Sequence, residues 1–319
     1  MHQHVVGLDV GHSAVKIAVD TAHETIQSAA APAIELTTDS AKAAAKASTV
    51  SLGKEKWLVG DPALVHTFGR VADGLRDDWI TTKEFAALLK AGYERAIHLM
   101  GGDADMVVVG LPSRLFSQQY EKLLNLTGAT LGLDKDNIRV VPQPYAAFYV
   151  HAMKADGTPA LADLAADDYA IIDVGYYTTD FGYIAKGQWS EAGAQSMHGV
   201  YSAAESMQRA IATELGKDLD VRKCDSALRA KSIRIDGKVV DLTEQTEAAS
   251  DTLAHFIMER AERVFRDWLH DSAKRVLVVG GGAPLVYNSL KKQWGHTEMP
   301  EDPRFAVAEG MRRYGTIQE

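Results

Sequence analysis

The feature that most constrains this chain is a short motif that occurs twice. Val5-Val6-Gly7-Leu8-Asp9-Val10-Gly11-His12-Ser13 is echoed by Ala170-Ile171-Ile172-Asp173-Val174-Gly175-Tyr176-Tyr177-Thr178. Each copy is an apolar strand that runs into Asp-Val-Gly, then small or polar turn residues, then a second apolar strand at 14–19 or 180–185. Asp9 and Asp173 lie 164 residues apart, about one domain length, so a chain of 319 residues reads as two similar halves.

The rest of the pattern agrees. Short apolar runs at 56–59, 106–110, 138–141, 169–173 and 275–279 read as strands. Between them, 81–100, 117–126, 145–154, 198–215 and 244–270 read as helices, the first behind a threonine cap. On the last helix Leu253, Phe256, Ile257, Val264, Phe265, Trp268 and Leu269 form one apolar, core-facing side. The alanine-rich stretch 29–47 reads as an exposed insertion, and 157–168 as a connector. Strands alternating with helices predict an α/β chain with largely buried sheets.

Several chemistries are excluded early. There is no HExxH spacing, no GxSxG elbow and no GxxxxGK[ST] loop. The single cysteine, Cys224, permits neither an internal disulfide nor a CxxC site and reads as a bystander. Forty-three acidic against 34 basic residues give a net charge of −9, which argues against broad, direct binding to nucleic acid phosphates. No apolar run approaches membrane-spanning length, and the N-terminus enters a patterned strand without leader features, so no membrane association and a cytoplasmic location are expected.

A glycine turn at a strand end lets backbone N–H groups approach phosphate oxygens closely. Around the two turns, Ser13, Thr178 and Thr179 offer hydroxyls, and Lys16 offers a charge to neutralise phosphate. Asp9 and Asp173, one at each strand end, suit Mg²⁺, which keeps waters and takes only one or two carboxylates. A third glycine-rich strand end, Val279-Gly280-Gly281-Gly282-Ala283, places flexible backbone where adenine, ribose or phosphate can lie against it. Any one Asp-x-Gly is also an ordinary hairpin turn. Two copies at domain spacing with a third glycine turn favour a nucleotide held between the halves.

These residues resemble the actin, hexokinase and heat-shock-chaperone ATPase superfamily. Asp9-Val10-Gly11-His12-Ser13-Ala14-Val15-Lys16 is similar to its first phosphate motif, and Asp173-Val174-Gly175-Tyr176-Tyr177-Thr178-Thr179-Asp180 to its second. Gly280-Gly281-Gly282-Ala283 is similar to the adenosine motif, and Val141-Pro142-Gln143-Pro144-Tyr145-Ala146-Ala147 to the first connecting helix. Within the superfamily, Val109-Gly110-Leu111-Pro112-Ser113 and the tail Ala308-Glu309-Gly310-Met311-Arg312-Arg313-Tyr314-Gly315 resemble the plasmid-partition actins of the ParM/StbA type.

The resemblance implies an actin-like ATPase fold of two related α/β domains, 1–160 plus 305–319 and 165–304, with a nucleotide cleft between them. It implies a polymerising ATPase that uses ATP or GTP with Mg²⁺ and forms dynamic filaments that segregate plasmid DNA through a DNA-bound adaptor of the ParR type. Asp9 and Asp173 then hold the metal, and Gln143 and Asp173 serve the attacking water. Gly11, His12, Ser13, Lys16, Gly175, Tyr176, Tyr177, Thr178, Thr179, Gly280, Gly281, Gly282 and Ala283 contact the nucleotide. Some relatives carry glutamate where Gln143 stands, and a neutral amide orients water without acting as a base. A non-motor scaffold and a small-molecule kinase on the same fold are the alternatives.

Overall fold

The computed structural model describes residues 4–69, 71 and 75–317; the ends of the expected first domain, 1–3 and 318–319, lie outside the described residues, as do 70 and 72–74. Contacts divide the chain into two units, Met1–Ala162 with Phe305–Glu319, and Asp163–Arg304.

In the first unit, β1 (Val5–Val10), β2 (Ala14–Val19) and β3 (Ala22–Gln27) form an antiparallel meander. β4 (Ala30–Pro32), α1 (Asp39–Lys46), β5 (Thr49–Leu52), β6 (Glu55–Val59) and α2 (Asp61–Thr67) follow. After α3 (Lys83–Met100) the chain enters β7 (Met106–Leu111), crosses by α4 (Phe116–Leu131) to β8 (Ile138–Pro142) and continues into α5 (Gln143–Ala152). The main sheet has the order β3-β2-β1-β7-β8, with β7 and β8 parallel to β1. Its central strands are buried on both faces, as their unbroken apolar runs require. Thr82 caps α3 by accepting a hydrogen bond from the Phe85 N–H at 3.1 Å, and Leu88, Leu89 and Ala96 turn inward from that helix.

The stretch 29–47 is mostly exposed, as its composition suggests, but Ala29, Ala30, Ala31 and Ala45 in it are buried. β4 joins β6 and β5 in a three-stranded sheet. Ala29, Ala31 and Ala45 are buried with Leu58 and Ala63 in a small core of their own. Alanine carries too little apolar area to mark a core face by periodicity, so these buried positions do not stand out in the sequence.

In the second unit, β9 (Asp168–Val174), β10 (Thr178–Ala185), β11 (Gln188–Trp189) and β12 (Gln195–His198) precede α6 (Val200–Leu215) and α7 (Val221–Ala230). The hairpin β13 (Ser232–Ile235) and β14 (Lys238–Asp241) leads to α8 (Thr243–Phe265). β15 (Ala273–Val279), α9 (Ala283–Gln293) and β16 (Thr297–Glu298) complete the sheet, of order β11-β10-β9-β15-β16 with β12 beside β10. The duplication seen in the sequence is thus a duplication of topology. Each unit opens with an antiparallel hairpin, and two further strands lie parallel to its first strand.

Two apolar residues assigned to the core of the last long helix lie outside it. Leu253, Ile257, Ala261 and Phe265 are buried at four-residue spacing, whereas Phe256, beside that stripe, is 51% exposed. The helix stops at Phe265 because Arg266 takes a φ of +49°, so Trp268 leaves the register and is 42% exposed. No helix among the described residues is long and apolar enough to cross a membrane.

The chain returns to the first unit as α10 (Ala306–Gly315), packed on β1, β7 and α5. Its inner face carries a buried charge cluster. Arg312 donates to Glu309 from Nε at 2.8 Å and Nη2 at 2.7 Å, and Arg313 Nε donates to Glu309 at 2.7 Å. Arg313 Nη1 also donates to the carbonyls of Val150 and Met153 at the end of α5, while Arg312 reaches Ala155. Burial alone pushes Glu309 up, but the Arg312 and Arg313 guanidiniums outweigh it and hold the carboxyl below its ordinary 4.5.

A carboxyl depressed in the folded state adds stability that is complete above its unfolded pKa and is lost as pH falls through the folded value. Glu309→Gln is therefore expected to cost about 2 kcal/mol at pH 7. The deficit should shrink as the pH is lowered below about 4.5. Thermal melts of both proteins between neutral pH and about pH 3.5 check this, and a gap that does not change with pH would refute it.

Candidate functional site

The first turn is built on the β1–β2 hairpin, whose register sets Asp9 opposite Lys16. Asp9 is 3% exposed. Its Oδ2 accepts from Lys16 Nζ at 2.7 Å and its Oδ1 from Gln143 Nε2 at 2.9 Å. A carboxylate only accepts, so the amide of Gln143 must present its NH₂ to Asp9 and turn Oε1 the other way. Gln143 is held there as the first residue of α5. Gly110 on β7 leaves it room, since a Cβ at that position would lie 3.1 Å from Gln143 Cγ. Asp9, Lys16 and Gln143 thus form one hydrogen-bonded group.

Gly11, His12 and Ser13 lie in the turn itself. Ser28, just past β3, pins it: Oγ donates to the Gly11 carbonyl at 2.5 Å, and its N–H donates to the Ser13 carbonyl at 3.1 Å. In a trans peptide the C=O and the next N–H point opposite ways, so the His12 and Ala14 N–H groups face away from Ser28. The His12 ring stacks on Trp79 at 5.6 Å. Ser13 is exposed.

The second turn uses the same device with different residues. The carbonyls of Gly175, Tyr176 and Tyr177 accept from the N–H groups of Val200 at 3.1 Å, Tyr201 at 2.8 Å and Gly199 at 2.8 Å. The orphan donors at the start of α6, which has no side-chain cap, are thereby satisfied by the turn. The Tyr176 and Tyr177 N–H groups consequently point away from α6, the backbone arrangement that cradles anions. Tyr176 meets Tyr201 edge-on at 5.8 Å, and burial pushes its phenol up, so it stays a neutral donor at ordinary pH.

Asp173, 6% exposed, sits opposite Asp180 on β10, the position that Lys16 takes in the first unit. Asp180 accepts from Thr178 Oγ1 and Ser196 Oγ, each at 2.5 Å. The Thr178 hydroxyl is therefore engaged within the protein. Thr179 has no exposed surface, and its hydroxyl has no partner among the described residues.

Gly280, Gly281 and Gly282 join β15 to α9, with Ala283 the buried first residue of that helix. Gly280 has a φ of +90°, and a Cβ there would lie 2.3 Å from Asp173 Oδ1, so only glycine fits beside the acid. The Gly282 N–H donates to the Val174 carbonyl at 2.8 Å, tying this turn to the second one.

Chemically, each unit offers one buried aspartate beside a turn with anchored carbonyls and outward N–H groups, at His12 in the first and at Tyr176 and Tyr177 in the second. Among the described residues no group of three or more His, Cys, Asp or Glu residues is placed to hold a bare cation. The donor set fits hydrated Mg²⁺, since Asp9 keeps lone pairs beyond those given to Lys16 and Gln143. Cys224 is buried, and burial, then Asp220 and Asp218, push its thiol up, so it is no nucleophile.

Sequence reasoning missed Ser28 and Gly199. The only signal for Gly199 was a glycine directly before a helix. A Cβ on it would lie 2.4 Å from the Gly175 carbonyl oxygen and 2.8 Å from that of Tyr176. Gly199→Ala is expected to cost about 2 kcal/mol, because rigid backbone must shift. A melting temperature unchanged in calorimetry would contradict this contact.

Two family models match, "Actin like proteins N terminal domain" over residues 7–145 and "Archaeal actin homologue MreB-like, C-terminal" over 171–292. No curated protein matches the chain in sequence. Among solved structures, a 15-stranded ParM filament from Clostridium botulinum is similar, with a TM-score of 0.78, 19% identity and 99% of each chain covered. The archaeal actin homologue Ta0583 in complex with ADP gives a TM-score of 0.70 at 22% identity, covering 98% of this chain and 99% of that one. A MamK double helical filament gives 0.72 at 19% identity, covering 99% and 100%.

Proposed function

Because the chain belongs to the actin-like proteins, we propose that it is a nucleotide-dependent polymerising ATPase. Its filaments segregate plasmid DNA through a DNA-bound adaptor of the ParR type. The observation that carries this reading is the pair of duplicated turns, each with a buried aspartate and carbonyls anchored away from the turn's outward N–H groups. Support comes from relatives of the same fold described as filaments and from one described in complex with ADP. A net charge of −9 suits a filament that leaves DNA contact to an adaptor.

In this reading ATP or GTP is held by its phosphates at the outward N–H groups of His12, Tyr176 and Tyr177, in the turns Gly11–Ser13 and Gly175–Thr178. Lys16 neutralises phosphate charge, and Gly280–Ala283 meet the nucleoside. Asp9 and Asp173 are the residues that would hold hydrated Mg²⁺, which would supply positive charge to offset that of the phosphates. Gln143 cannot act as a base. Its NH₂ is fixed by Asp9, so Oε1 is the acceptor that orients the attacking water.

Right-angle light scattering with parallel pelleting, in Mg-ATP, Mg-GTP, ADP or buffer, tests the reading. A triphosphate-dependent rise that decays as phosphate appears is expected. Nucleotide binding with no rise and no phosphate would replace it with a non-turnover scaffold. Consumption stimulated by an added sugar would replace it with a kinase.

A further inference from the structure

Each of the first two glycine turns has its carbonyls anchored by a residue distant in sequence, and the third has such an anchor as well. Arg229, on α7, donates from Nη1 to the Gly281 carbonyl at 2.7 Å. The same peptide unit gives its other end, the Gly282 N–H, to the Val174 carbonyl at 2.8 Å. One peptide plane is therefore held from both sides, by the end of β9 and by a guanidinium. The glycines on either side of it leave that plane otherwise free to tilt. Arg229 is itself fixed, because its Nε lies 3.1 Å from each oxygen of Asp225, one helical turn earlier. The position of Gly281 is open: a Cβ there would meet only Arg304 Cγ, at 3.8 Å.

We propose that Arg229 is a positioning residue of the nucleotide site: it locks the Gly281–Gly282 peptide plane against which the nucleoside lies, and Asp225 holds the guanidinium in place. This rests on the assignment of Gly280–Ala283 to the nucleoside under the proposed function. Arg229 touches the turn and not the phosphates, so its loss weakens nucleotide binding and spares the chemical step. Asp225 acts through Arg229, so its loss adds nothing once Arg229 is gone.

The test is steady-state phosphate release against Mg-ATP and Mg-GTP for wild type, Arg229→Ala, Arg229→Lys, Asp225→Asn and the Arg229→Ala/Asp225→Asn double variant, with melting temperatures of the nucleotide-free proteins. Arg229→Ala is expected to raise KM about five- to tenfold, the scale of one charge-assisted hydrogen bond shared with solvent, and to leave kcat within about twofold. Arg229→Lys, which keeps a charged donor for Gly281, should recover part of the KM, and the double variant should match Arg229→Ala. If wild type turns over and Arg229→Ala has the same KM, or if kcat and melting temperature fall together without recovery in Arg229→Lys, the proposal fails alone. A wild type that neither binds nor hydrolyses either triphosphate overturns the functional reading, and this proposal with it.

Discussion

Gly310→Ala is expected to lower the stability of the first unit by about 3 to 4 kcal/mol, the upper end of what overpacking costs. On an open helix face the same change would stabilise by up to about 1 kcal/mol through helix propensity, so the sign of the effect is itself the test. The space is closed: a Cβ at Gly310 would lie 1.9 Å from the Ala146 carbonyl oxygen and 3.2 Å from Ala147 Cα, both on α5. Backbone oxygen cannot rotate aside, and α5 is held at its far end by Arg313 on the carbonyls of Val150 and Met153. On the other side of α10, a Cβ at Gly7 of β1 would lie 1.9 Å from the Ala308 carbonyl oxygen. α10 therefore lies directly on the backbones of β1 and α5 and cannot retreat from either.

Gly110→Ala serves as the contrast. There a new Cβ would lie 2.2 Å from Met311 Cε, the end of a flexible side chain that can shift, and only tightly, at 3.1 and 3.2 Å, against Gln143 Cγ and the Val141 carbonyl oxygen. Thermal melts should show a fall of roughly 10 °C for Gly310→Ala and only a few degrees for Gly110→Ala. A Gly310→Ala protein that melts at or above the wild-type temperature would mean that α10 does not pack this way.

These contacts mark the boundary of what the sequence discloses. The two halves, their hairpins and the three glycine turns were legible because each is written in contiguous residues: an apolar run, an acid and a glycine. Adding the repeat distance also places Lys16 and Asp180 at the same register of their hairpins, as the pairing confirms. Ser28, Gly199 and Arg229 were not legible. Each anchors the carbonyls of a turn distant in the chain, and any small, polar or basic residue at such a position reads as surface. The Asp9–Lys16–Gln143 group was half legible. Its members were singled out separately, but the bond joining Gln143 to Asp9 depends on α5 beginning beside β1. Phe256 was misplaced because apolar character was read without the four-residue register that separates a buried stripe from its neighbours, and Trp268 because nothing in the sequence announced the helix end at Phe265.

Gln143→Ala should reduce phosphate release about 100-fold, the cost of losing the orientation of a reacting water, and leave triphosphate affinity within about threefold. The fold should tolerate the change, since Asp9 keeps Lys16 Nζ at 2.7 Å and no buried carboxylate is left without a partner. Affinity should survive because Gln143 offers a neutral amide, one side of which is already spent on Asp9, and the proposed function assigns the phosphates to the N–H groups of the turns. Turnover should not survive: with no base at this position, water placement is the part of the reaction left to this side chain. Single-turnover phosphate release and equilibrium binding of Mg-ATP, measured on the same preparations, separate the two quantities. A parallel loss of both would make Gln143 a binding residue. An undiminished rate would remove it from the chemistry and leave the orientation of water to the second unit, where Asp173 is the remaining candidate.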